Sequence, residues 1–512
     1  MRSNRTAHAA LLLLAPSAAY AIGPEVIFTK IPGHPTAAVP GALDLSGNPA
    51  ASDFRALEDL MVTPDGSRWM IKGRTQLGSD LENILILGQG STHSNFAQEG
   101  QPIPSGSAGE LYDFFGSGVG RFDDNGNFAF SARARGTSTL QKVLYWNGST
   151  FTTTAIQGQF YTGLQDLIPN PSGDETVGNS IGSIHPLNDG RIGAQDSSIL
   201  NIHTTRRPAI FYNLAAFHQT NVTNINGFMG GFPETWKTIN ANSFYSSPDG
   251  AHWIAIGQVN QATNIDAVLV HDGTVVIQEG MTLPGASAAV ASTIVAADIA
   301  SDGSYVARGA LAAGGVYAVR NGAVIAATGM SVDGGAELWG SSFLSIHTNA
   351  SGDWVLVGNT NNANPAQDQV LVLNGTTVLA REGDPIDLDG NGMFDDNVFI
   401  GRNNPANAAF ETNDLYITNS GDVYVIANLI DGAGNELNSS PAFTSPQALL
   451  RIRAACPGDV NGDRVVNFTD LNIVLSFFGQ NVTPGTNGDL NGDGIVNFTD
   501  LNTVLSFFGT NC

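Results

Sequence analysis

The chain has 512 residues, 42% of them hydrophobic, with 60 glycines and only 22 Lys and Arg against 46 Asp and Glu. This composition predicts a folded, turn-rich protein, and the net charge of -24 disfavours nucleic acid and anionic membrane surfaces as partners. An acidic balance is also common in exported proteins that face high salt, so the charge alone identifies no ligand.

The N-terminus has the pattern of a secretory signal peptide. Arg2 and Arg5 precede an apolar run over residues 9–15, and Ala-Tyr-Ala at 19–21 offers a small-x-small cleavage site. The run is too short to span a membrane, and no later segment reaches about twenty apolar residues. We therefore expect residues 1–21 to be removed and the mature chain to be secreted, extracellular or at the cell surface, with no membrane span.

Residues 25–453 repeat a unit of short apolar strands separated by turns. In each unit, one turn before a long apolar strand has glycine as its second residue, and these turns lie roughly fifty to seventy residues apart. Several units add a second glycine turn with the sequence pattern of a β-hairpin, as at Asp272-Gly273 and Asn374-Gly375. The first turns are Asp65-Gly66, Asn125-Gly126, Asp189-Gly190, Asp249-Gly250, Asp302-Gly303, Ser351-Gly352 and Ser420-Gly421.

Seven such units without a convincing helical period predict an all-β fold, a seven-bladed β-propeller over residues 22–453. The last unit lacks a fourth strand, whereas the segment EVIFTKIPGHP near the mature N-terminus resembles the fourth strand of other units. We therefore expect this N-terminal segment to close the ring. A pair of β-sandwiches is the competing fold. The unit over about 183–228 is the most degenerate, so the blade count is weakest there.

One loop of the repeat region has the spacing of calcium ligands. Its acidic and amide side chains surround Gly390 and Gly392, but no acidic residue follows at loop position 12. The pattern predicts a bound Ca²⁺, and a solvated acidic turn is the alternative. The predicted ligands are Asp387, Asp389, Asn391, Asp395 and Asp396.

The sequence has no His-Glu-x-x-His or Walker pattern. The nine histidines are scattered, and we interpret His252 and His271, which fall in one unit, as packing or surface residues. Carboxylates of a glycosidase could still converge from distant blades on a central channel, which the sequence alone does not resolve.

The last 55 residues contain two near-identical segments, GDVNGDRVVNFTDLNIVLSFFG from Gly458 and GDLNGDGIVNFTDLNTVLSFFG from Gly488. Each places oxygen-bearing side chains at positions 1, 3, 5, 9 and 12 of a twelve-residue loop, and position 7 needs only a backbone carbonyl. Calcium prefers about six to eight hard oxygen ligands, so two Ca²⁺ sites are predicted. The ligands are Asp459, Asn461, Asp463, Val465, Asn467 and Asp470 in the first loop and Asp489, Asn491, Asp493, Ile495, Asn497 and Asp500 in the second.

The two copies differ at loop position 6, where the chain turns sharply. The first copy has Arg464 there and the second has Gly494, so the second site matches the calcium pattern better. A helix with an apolar stripe at i, i+3, i+4 and i+7 is predicted after each loop. Phe477 and Phe507 lie off the stripe and either complete a small core or contact a partner. The stripe residues are Leu471, Val474, Leu475 and Phe478, and then Leu501, Val504, Leu505 and Phe508.

Cys456 and Cys512 are the only cysteines, and they bracket the duplicated segment. An even count in an exported chain predicts a disulfide. Closing a loop of this size is worth about 4 kcal/mol in the chain-entropy model, which matters for a module too small to bury much apolar surface. Two free thiols are the alternative.

The duplicated loop and helix resemble a type I dockerin domain over about residues 456–512. The resemblance implies two bound Ca²⁺, an internal pseudo-two-fold symmetry, and docking onto a cohesin domain of a scaffold or cell-surface protein, often by secreted enzymes that act on polysaccharides. In that family, loop positions 10 and 11 commonly contact the cohesin through small hydroxyl residues. This chain differs there, with Phe468 and Thr469 in one copy and Phe498 and Thr499 in the other.

These patterns together predict a secreted calcium-binding protein with a propeller over residues 22–453 and a dockerin-like module over 454–512. The module would anchor a recognition or display domain to a cohesin-like or cell-surface partner. A polysaccharide-degrading enzyme and a structural surface protein are the alternatives. Two carboxylates about 5–10 Å apart in a concave pocket would favour the enzyme, and a channel lined by apolar or glycine residues would favour display.

Overall fold

The chain divides into two units. One covers Gly23–Ile452 and the other begins at Arg453. Neither of the two described helices is long and apolar enough to cross a lipid bilayer. The predicted signal peptide, residues 1–21, lies outside the described residues. A computed structural model describes residues 23–90, 92–116, 120–136, 138–165, 175–199, 208–229, 231–391, 393–404, 407–437, 447–453, 456–461, 465–482, 486–491 and 493–510.

Seven antiparallel sheets, called blades 1 to 7 below, are formed by the described residues of Gly23–Ile452. Strand β1 (Glu25–Thr29) and a short 3-10 helix (Pro35–Ala37) precede the first blade. Blade 1 contains β2 (Phe54–Val62), β3 (Arg68–Thr75), β4 (Asn83–Gln89) and β5 (Thr92–Gln98). Blade 2 contains β6 (Leu111–Phe114), β7 (Gly120–Phe122), β8 (Phe128–Arg135), β9 (Leu140–Trp146) and β10 (Phe151–Ile156). Blade 3 contains β11 (Ile181–Pro186), β12 (Ile192–Asp196), β13 (Ala209–Tyr212) and β14 (Ala215–Gln219).

Blades 4 to 7 continue the same antiparallel pattern along the chain. Blade 4 contains β15 (Asn224–Ile225), β16 (Glu234–Ile239), β17 (Tyr245–Ser246), β18 (Trp253–Val259), β19 (Ala267–His271) and β20 (Thr274–Gln278). Blades 5 and 6 contain β21 (Val290–Ile299), β22 (Tyr305–Leu311), β23 (Val316–Arg320) and β24 (Ala323–Ala327), and then β25 (Trp339–Thr348), β26 (Trp354–Thr360), β27 (Gln369–Leu373) and β28 (Thr377–Arg381). Blade 7 contains β29 (Val398–Ile400), β30 (Phe410–Ile417), β31 (Val423–Asp431), β32 (Gln447–Ile452) and the N-terminal β1.

The prediction of an all-β, seven-bladed propeller is therefore confirmed, and the alternative of two β-sandwiches is wrong. The most degenerate repeat folds into blade 3, a four-stranded sheet over β11 to β14. Residues from all seven blades line one central channel.

The predicted first turns connect the inner strands of each blade to its second long strand. Their glycines all have φ between 72° and 100°, the left-handed region that side chains with a Cβ rarely adopt. The recurrence of glycine in the sequence thus reports a backbone requirement that each blade repeats. These glycines are Gly66, Gly126, Gly190, Gly250, Gly303, Gly352 and Gly421.

Apolar side chains are buried between neighbouring blades. Met70 and Leu85 of blade 1 share a core with Phe128 and Phe130 of blade 2. Blade 7 packs on blade 1 in the same way, through side chains that include Tyr424. Because both faces of a blade are covered, its central strands are continuous apolar runs rather than alternating ones.

The ring closes through the N-terminal strand, as predicted. β1 pairs antiparallel with β32, and the Glu25 carboxylate lies 2.6 Å from a guanidinium nitrogen of Arg451. Phe28 is buried against Phe54 and Trp69 of blade 1, with ring centroids 5.0 and 5.8 Å apart. One strand from the start of the propeller thus completes its last blade and joins it to the first.

The second unit contains two helices, α1 (Phe468–Phe477) and α2 (Phe498–Ser506), each directly after one of the predicted calcium loops. Their positions agree with the loop-then-helix pattern of the duplicated sequence.

Closure by β1 makes a testable prediction about stability. Phe28→Ala removes a buried aromatic ring between blades 7 and 1 and should lower the free energy of unfolding of the propeller by about 3–5 kcal/mol. Denaturant unfolding followed by tryptophan fluorescence measures this loss. The control is Glu25→Ala on the same strand, which removes an exposed ion pair and should cost less than about 1 kcal/mol. Equal losses for the two variants would contradict closure by packing of β1.

Candidate metal centres and central channel

The side chains at loop position 9 begin the helices of the C-terminal module. The side-chain oxygens of Asn467 and Asn497 accept the N–H groups of Thr469 and Thr499 at 2.6 and 2.8 Å. Their amide nitrogens donate to the carbonyl at loop position 7, at 3.0 and 3.1 Å. Each loop therefore continues into its helix through a side-chain cap, which fixes the backbone carbonyl predicted to face the ion.

The carboxylates at loop position 12 are completely buried. Oδ1 of Asp470 accepts the N–H groups of Val460 and Asn461 at 2.7 and 3.1 Å, and Oδ2 accepts that of Asn467 at 2.9 Å. Asp500 accepts the corresponding three bonds in the second loop. Each carboxylate thereby holds the start and the end of its loop together. A buried carboxylate without a positively charged neighbour is costly, so this arrangement fits a cation at the centre of the loop.

The remaining ligands of the second loop are also close together. Asp489, at position 1, is buried and its Oδ2 accepts the N–H of Gly494 at 2.8 Å. Gly494 has φ 83°, the sharp turn that position 6 requires. The side-chain amide of Asn491 donates to Asp493 at 2.9 Å, so positions 3 and 5 are neighbours. This oxygen-only donor set fits Ca²⁺. In the first loop, Asp463 and the differing position 464 lie outside the described residues.

The two halves of the module exchange backbone hydrogen bonds. Gly479, after α1, donates to Val496 of the second loop at 2.7 Å, and Gly509, after α2, donates to Val466 of the first loop at 2.7 Å. Two aromatic contacts repeat the exchange, Phe468 with Phe508 and Phe478 with Phe498, both at 4.9 Å and nearly perpendicular. Each loop is therefore supported by the opposite helix end, which produces an internal two-fold relation.

Burial in the module differs from the predicted stripe. Among the described residues of the module, the fully buried core consists of four valines, and the stripe residues Leu475 and Leu505 are 51% and 52% exposed. The helices are only ten and nine residues long, so each presents a single valine to the centre. The core valines are Val466, Val474, Val496 and Val504.

The predicted partner-contact residues have different exposures. Phe468 and Phe498 are 70% and 68% exposed, and the threonines that follow them are exposed as well. Phe507 is exposed, whereas Phe477 is half-buried and packs against the valine core. Cys456 also packs against this core, and no cysteine among the described residues is free. Cys512 lies outside those residues.

The predicted acidic loop of the propeller brings three of its carboxylates together. One oxygen from each of Asp387, Asp389 and Asp396 lies within 4.8 Å of the other two. Oδ2 of Asp396 accepts the N–H of Leu388 at 2.7 Å, and Oδ1 of Asp387 accepts the N–H of Gly390 at 2.9 Å, so the loop wraps around the cluster. The amide of Asn391 donates to Asp389 at 3.0 Å. Asp395, the other predicted ligand, is exposed and is not part of the cluster.

The central channel has a volume of about 520 Å³ and a wall that mixes polar and apolar groups. Asp298 of blade 5 faces the channel and forms an ion pair with Arg121 of blade 2 at 2.7 Å, and its other carboxylate oxygen lies 2.8 Å from Nε2 of His347 of blade 6. Tyr245 lies under the Arg121 guanidinium at 3.4 Å, and Tyr416 lies against the His347 ring at 3.9 Å. Burial alone would raise the pKa of Asp298, but the interactions with Arg121 and His347 outweigh burial and hold that pKa well below its ordinary value.

A second carboxylate of the channel behaves in the opposite way. Asp414 of blade 7 accepts the N–H of Leu60 at 3.1 Å, and burial together with the nearby Asp59 carboxylate raises its pKa to about 8. Asp59 and Asn413 have φ of 46° and 70° and stand at irregularities of the inner strands of blades 1 and 7. Bulges and positive φ at residues with side chains are common where a strand positions a functional group.

Sequence reasoning did not find these channel residues. They come from six blades that are far apart in the sequence, and no local spacing connects them. The available signal was weak, since it consisted only of polar residues at the ends of inner strands.

Residues 457–508 match the family model of the type I dockerin domain, so the predicted C-terminal domain is confirmed. No curated protein matches the chain. Solved structures similar to this chain include hydrazine synthase from Kuenenia stuttgartiensis (10% identity, 60% of this chain and 77% of that chain covered, TM-score 0.30), the Dos1 propeller (11%, 78% and 92%, 0.33) and the β-propeller domain of the Trilobed protease from Pyrococcus furiosus (10%, 65% and 100%, 0.29).

The raised pKa of Asp414 predicts a pH-dependent stability. An unfolded Asp has a pKa of about 4, so between about pH 4 and 8 the folded state binds more protons than the unfolded state, and stability falls as pH rises. Asp414→Asn imitates the neutral form and should raise the melting temperature of the propeller by a few degrees near pH 9, with little effect near pH 4.

Asp298→Asn is the contrasting variant, because it removes ion pairs with Arg121 and His347 and should lower the melting temperature at neutral pH. Calorimetric melting near pH 4, near neutral pH and near pH 9 measures the two effects. A lower melting temperature for Asp414→Asn at pH 9 than for the unchanged protein would contradict the raised pKa of Asp414.

Proposed function

We propose that this dockerin-bearing propeller is a secreted protein whose C-terminal module binds two Ca²⁺ and anchors the propeller to a cohesin-like or cell-surface partner. The carrying observation is the type I dockerin match over residues 457–508, in which both loops are organised around a buried carboxylate. Dockerins bind cohesins and are typically calcium-dependent, and the loops of this chain have the oxygen donors that such dependence needs.

The proposed ligands are the side chains at loop positions 1, 3, 5 and 12 and the carbonyl at position 7. The second loop is the better match to the calcium pattern, because Gly494 allows the sharp turn at position 6, where the sequence of the first loop has Arg464. The position 9 asparagines cap the helices, so they would contact the ion through water rather than directly. When bound, Ca²⁺ supplies the positive charge that offsets three carboxylates in each loop.

The proposed docking surface consists of two equivalent apolar patches. Phe468 with Phe508 forms one patch, and Phe498 with Phe478 forms the other. The phenylalanines at loop position 10 are the most exposed of these rings. They favour a partner with an apolar depression over one that reads hydroxyl groups, and the two-fold relation offers the partner either of two orientations.

A disulfide between Cys456 and Cys512 would join the two ends of the module. Its supports are the contact of Cys456 with the valine core and the even number of cysteines. Because four side chains of the described part of the module are fully buried in this core, the constraint that a disulfide places on the unfolded chain would be a large part of the module's stability. A thiol titration that finds two reactive thiols in the denatured protein would refute this pairing.

The acidic loop of the propeller is the proposed third Ca²⁺ site. The cluster of Asp387, Asp389 and Asp396 supplies the carboxylate oxygens, and Asn391 lies next to it. Calcium there would hold the loop between blades 6 and 7 in one conformation.

Recognition of a ligand in the channel is the activity that we propose for the propeller. A wall of apolar or glycine residues would have favoured passive display, whereas this channel contains ionised Arg121 and Asp298 and several aromatic faces. A polysaccharide end fits such a mixture of aromatic and hydrogen-bonding groups. Glycoside hydrolysis is the second candidate, because Asp414 keeps a proton at neutral pH and lies near Asp59, as an acid and its partner carboxylate would.

Calcium stoichiometry tests the metal sites. Calorimetric titration of the chelator-treated mature chain should find three Ca²⁺, because each loop has its own set of oxygens. Asp500→Ala and Asp387→Ala should each reduce the number to two, and Ser506→Ala, on the exposed face of α2, should leave it at three. Unchanged titrations for the two aspartate variants would contradict the sites.

A panel of polysaccharides separates recognition from hydrolysis. We expect the mature chain to be retained by at least one polysaccharide without releasing soluble sugar, and Arg121→Ala should lose that retention because it opens the channel ion pair. Release of sugar that Asp414→Asn abolishes would replace recognition with hydrolysis. Neither retention nor release across the panel would argue against a polysaccharide ligand.

A further inference from the structure

Two histidines and an aspartate of blade 4 meet at one end of the propeller blade. His252 precedes β18, and His271 and Asp272 stand where β19 turns into β20. Nδ1 of His252 lies 2.7 Å from Oδ2 of Asp272, and Nε2 of His271 lies 3.8 Å from the same oxygen. One donor atom from each residue lies within 4.8 Å of the other two, so a single ion could contact all three.

The aspartate occupies a position that other blades give to asparagine. Oδ1 of Asp272 accepts the N–H of Trp253 at 2.8 Å, and Asn213, Asn321 and Asn374 accept the corresponding N–H in blades 3, 5 and 6 at 2.8–2.9 Å. All four residues have φ between 48° and 53°. The turn therefore requires only one side-chain oxygen, Oδ1, in all four blades. Blade 4 differs in having a second carboxylate oxygen, Oδ2 of Asp272, at this position.

The two histidines are also particular to this blade. The strand registers align the second and third strands of blades 4, 5 and 6 without ambiguity. The residues equivalent to His252 are Ser304 in blade 5 and Asp353 in blade 6, and those equivalent to His271 are Arg320 and Leu373. A structural role repeated in these blades therefore does not explain the two imidazoles.

The side chains are oriented toward a common point. Nε2 of His271 is buried and has no hydrogen-bond partner among the described residues. The two imidazole rings are nearly parallel, 9° apart with centroids at 5.8 Å, and Gly303 of blade 5 packs against the His252 ring at a place where a Cβ would clash. The neighbouring blade thus fixes the position of one ring while the other keeps an unused nitrogen.

Charge and access favour a cation. Asp249 and Asp302 are near enough to His252 to act on it electrostatically, so the site carries excess negative charge. The side chains of His252 and Asp272 are 41% and 37% exposed, which leaves a path from solvent. Two imidazoles and one carboxylate suit transition metals, whereas Ca²⁺ takes only oxygen ligands.

We propose that Nδ1 of His252, Nε2 of His271 and Oδ2 of Asp272 bind a divalent transition-metal ion, with Zn²⁺ as the best fit to this donor set. Three protein ligands leave a coordination position for water or for an external ligand, as in zinc sites that are not purely structural. This site is separate from the calcium loops and goes beyond the proposed anchoring and recognition function.

Zinc titration in excess calcium tests the site. The mature chain is stripped of transition metals, saturated with Ca²⁺, and titrated with Zn²⁺ against a chromophoric chelator. We expect one equivalent to bind. Asp272→Asn and His271→Gln should each weaken Zn²⁺ binding by about a hundredfold or more. Replacing a residue that only hydrogen-bonds to a metal ligand already costs about ten- to hundredfold in metal affinity. His93→Gln, in blade 1, is the matched control and should bind normally.

Asp272→Asn keeps the proposal falsifiable, because three other blades fold with asparagine at this position. Its circular dichroism and melting temperature should therefore stay close to those of the unchanged protein. Co²⁺ in place of Zn²⁺ should give visible absorption bands that both variants lose. Absence of one-equivalent Zn²⁺ binding, or equal affinity in the two variants and the control, would show that His252 and Asp272 form only a surface ion pair and would overturn the site.

Discussion

Every blade of this propeller has two apolar faces, and the need to cover both determines how the rest of the chain is arranged. Val355, Leu356 and Val357 are consecutive residues of β26 and are all fully buried, so blade 6 is covered on both sides. An open row of such sheets would leave an apolar face uncovered at each end. Closing the row into a ring covers both faces, and pairing of β1 with β32 is the step that closes it. The dockerin module follows in sequence directly after β32.

The parts of the fold that the sequence predicts are those with a local cause. A turn that needs positive φ selects glycine, and because each blade needs that turn, Gly66 and its six counterparts reveal the number of blades. The missing fourth strand of blade 7 is predictable for the same reason, since the repeat makes its absence visible. The apolar stripe of α1 was misleading, because Leu475 has helical periodicity but the module has too small a core to cover it. Periodicity shows which face of a helix is apolar, and the amount of packed neighbour decides how much of that face is buried.

The candidate sites also differ in whether they have a local cause in the sequence. The calcium loops can be predicted because one short segment supplies all the oxygens, whereas Arg121, Asp298 and His347 meet only after the ring has closed. The histidine and aspartate cluster of blade 4 lies between these cases. Its residues are close in sequence, but a histidine in a strand is usually a packing residue, and only comparison with the asparagines of equivalent turns shows that Asp272 does more than the frame requires.

Buried carboxylates occur in both units, and the two units stabilise them in different ways. With 22 Lys and Arg for 46 Asp and Glu, side-chain pairing cannot serve every carboxylate. In the propeller, Asp298 lies against Arg121 and His347, and Asp414 keeps its proton at neutral pH. In the module, Asp470 and Asp500 are as deeply buried, yet among the described residues they accept only backbone N–H groups and form no ion pair. The proposed Ca²⁺ would supply the positive charge. Because the loops also hold the opposite helix ends through Val466 and Val496, the order of the module would then depend on the ion. Chelation should therefore disorder the module and leave the propeller core folded, which protease digestion in chelator can resolve as a stable fragment ending near residue 453.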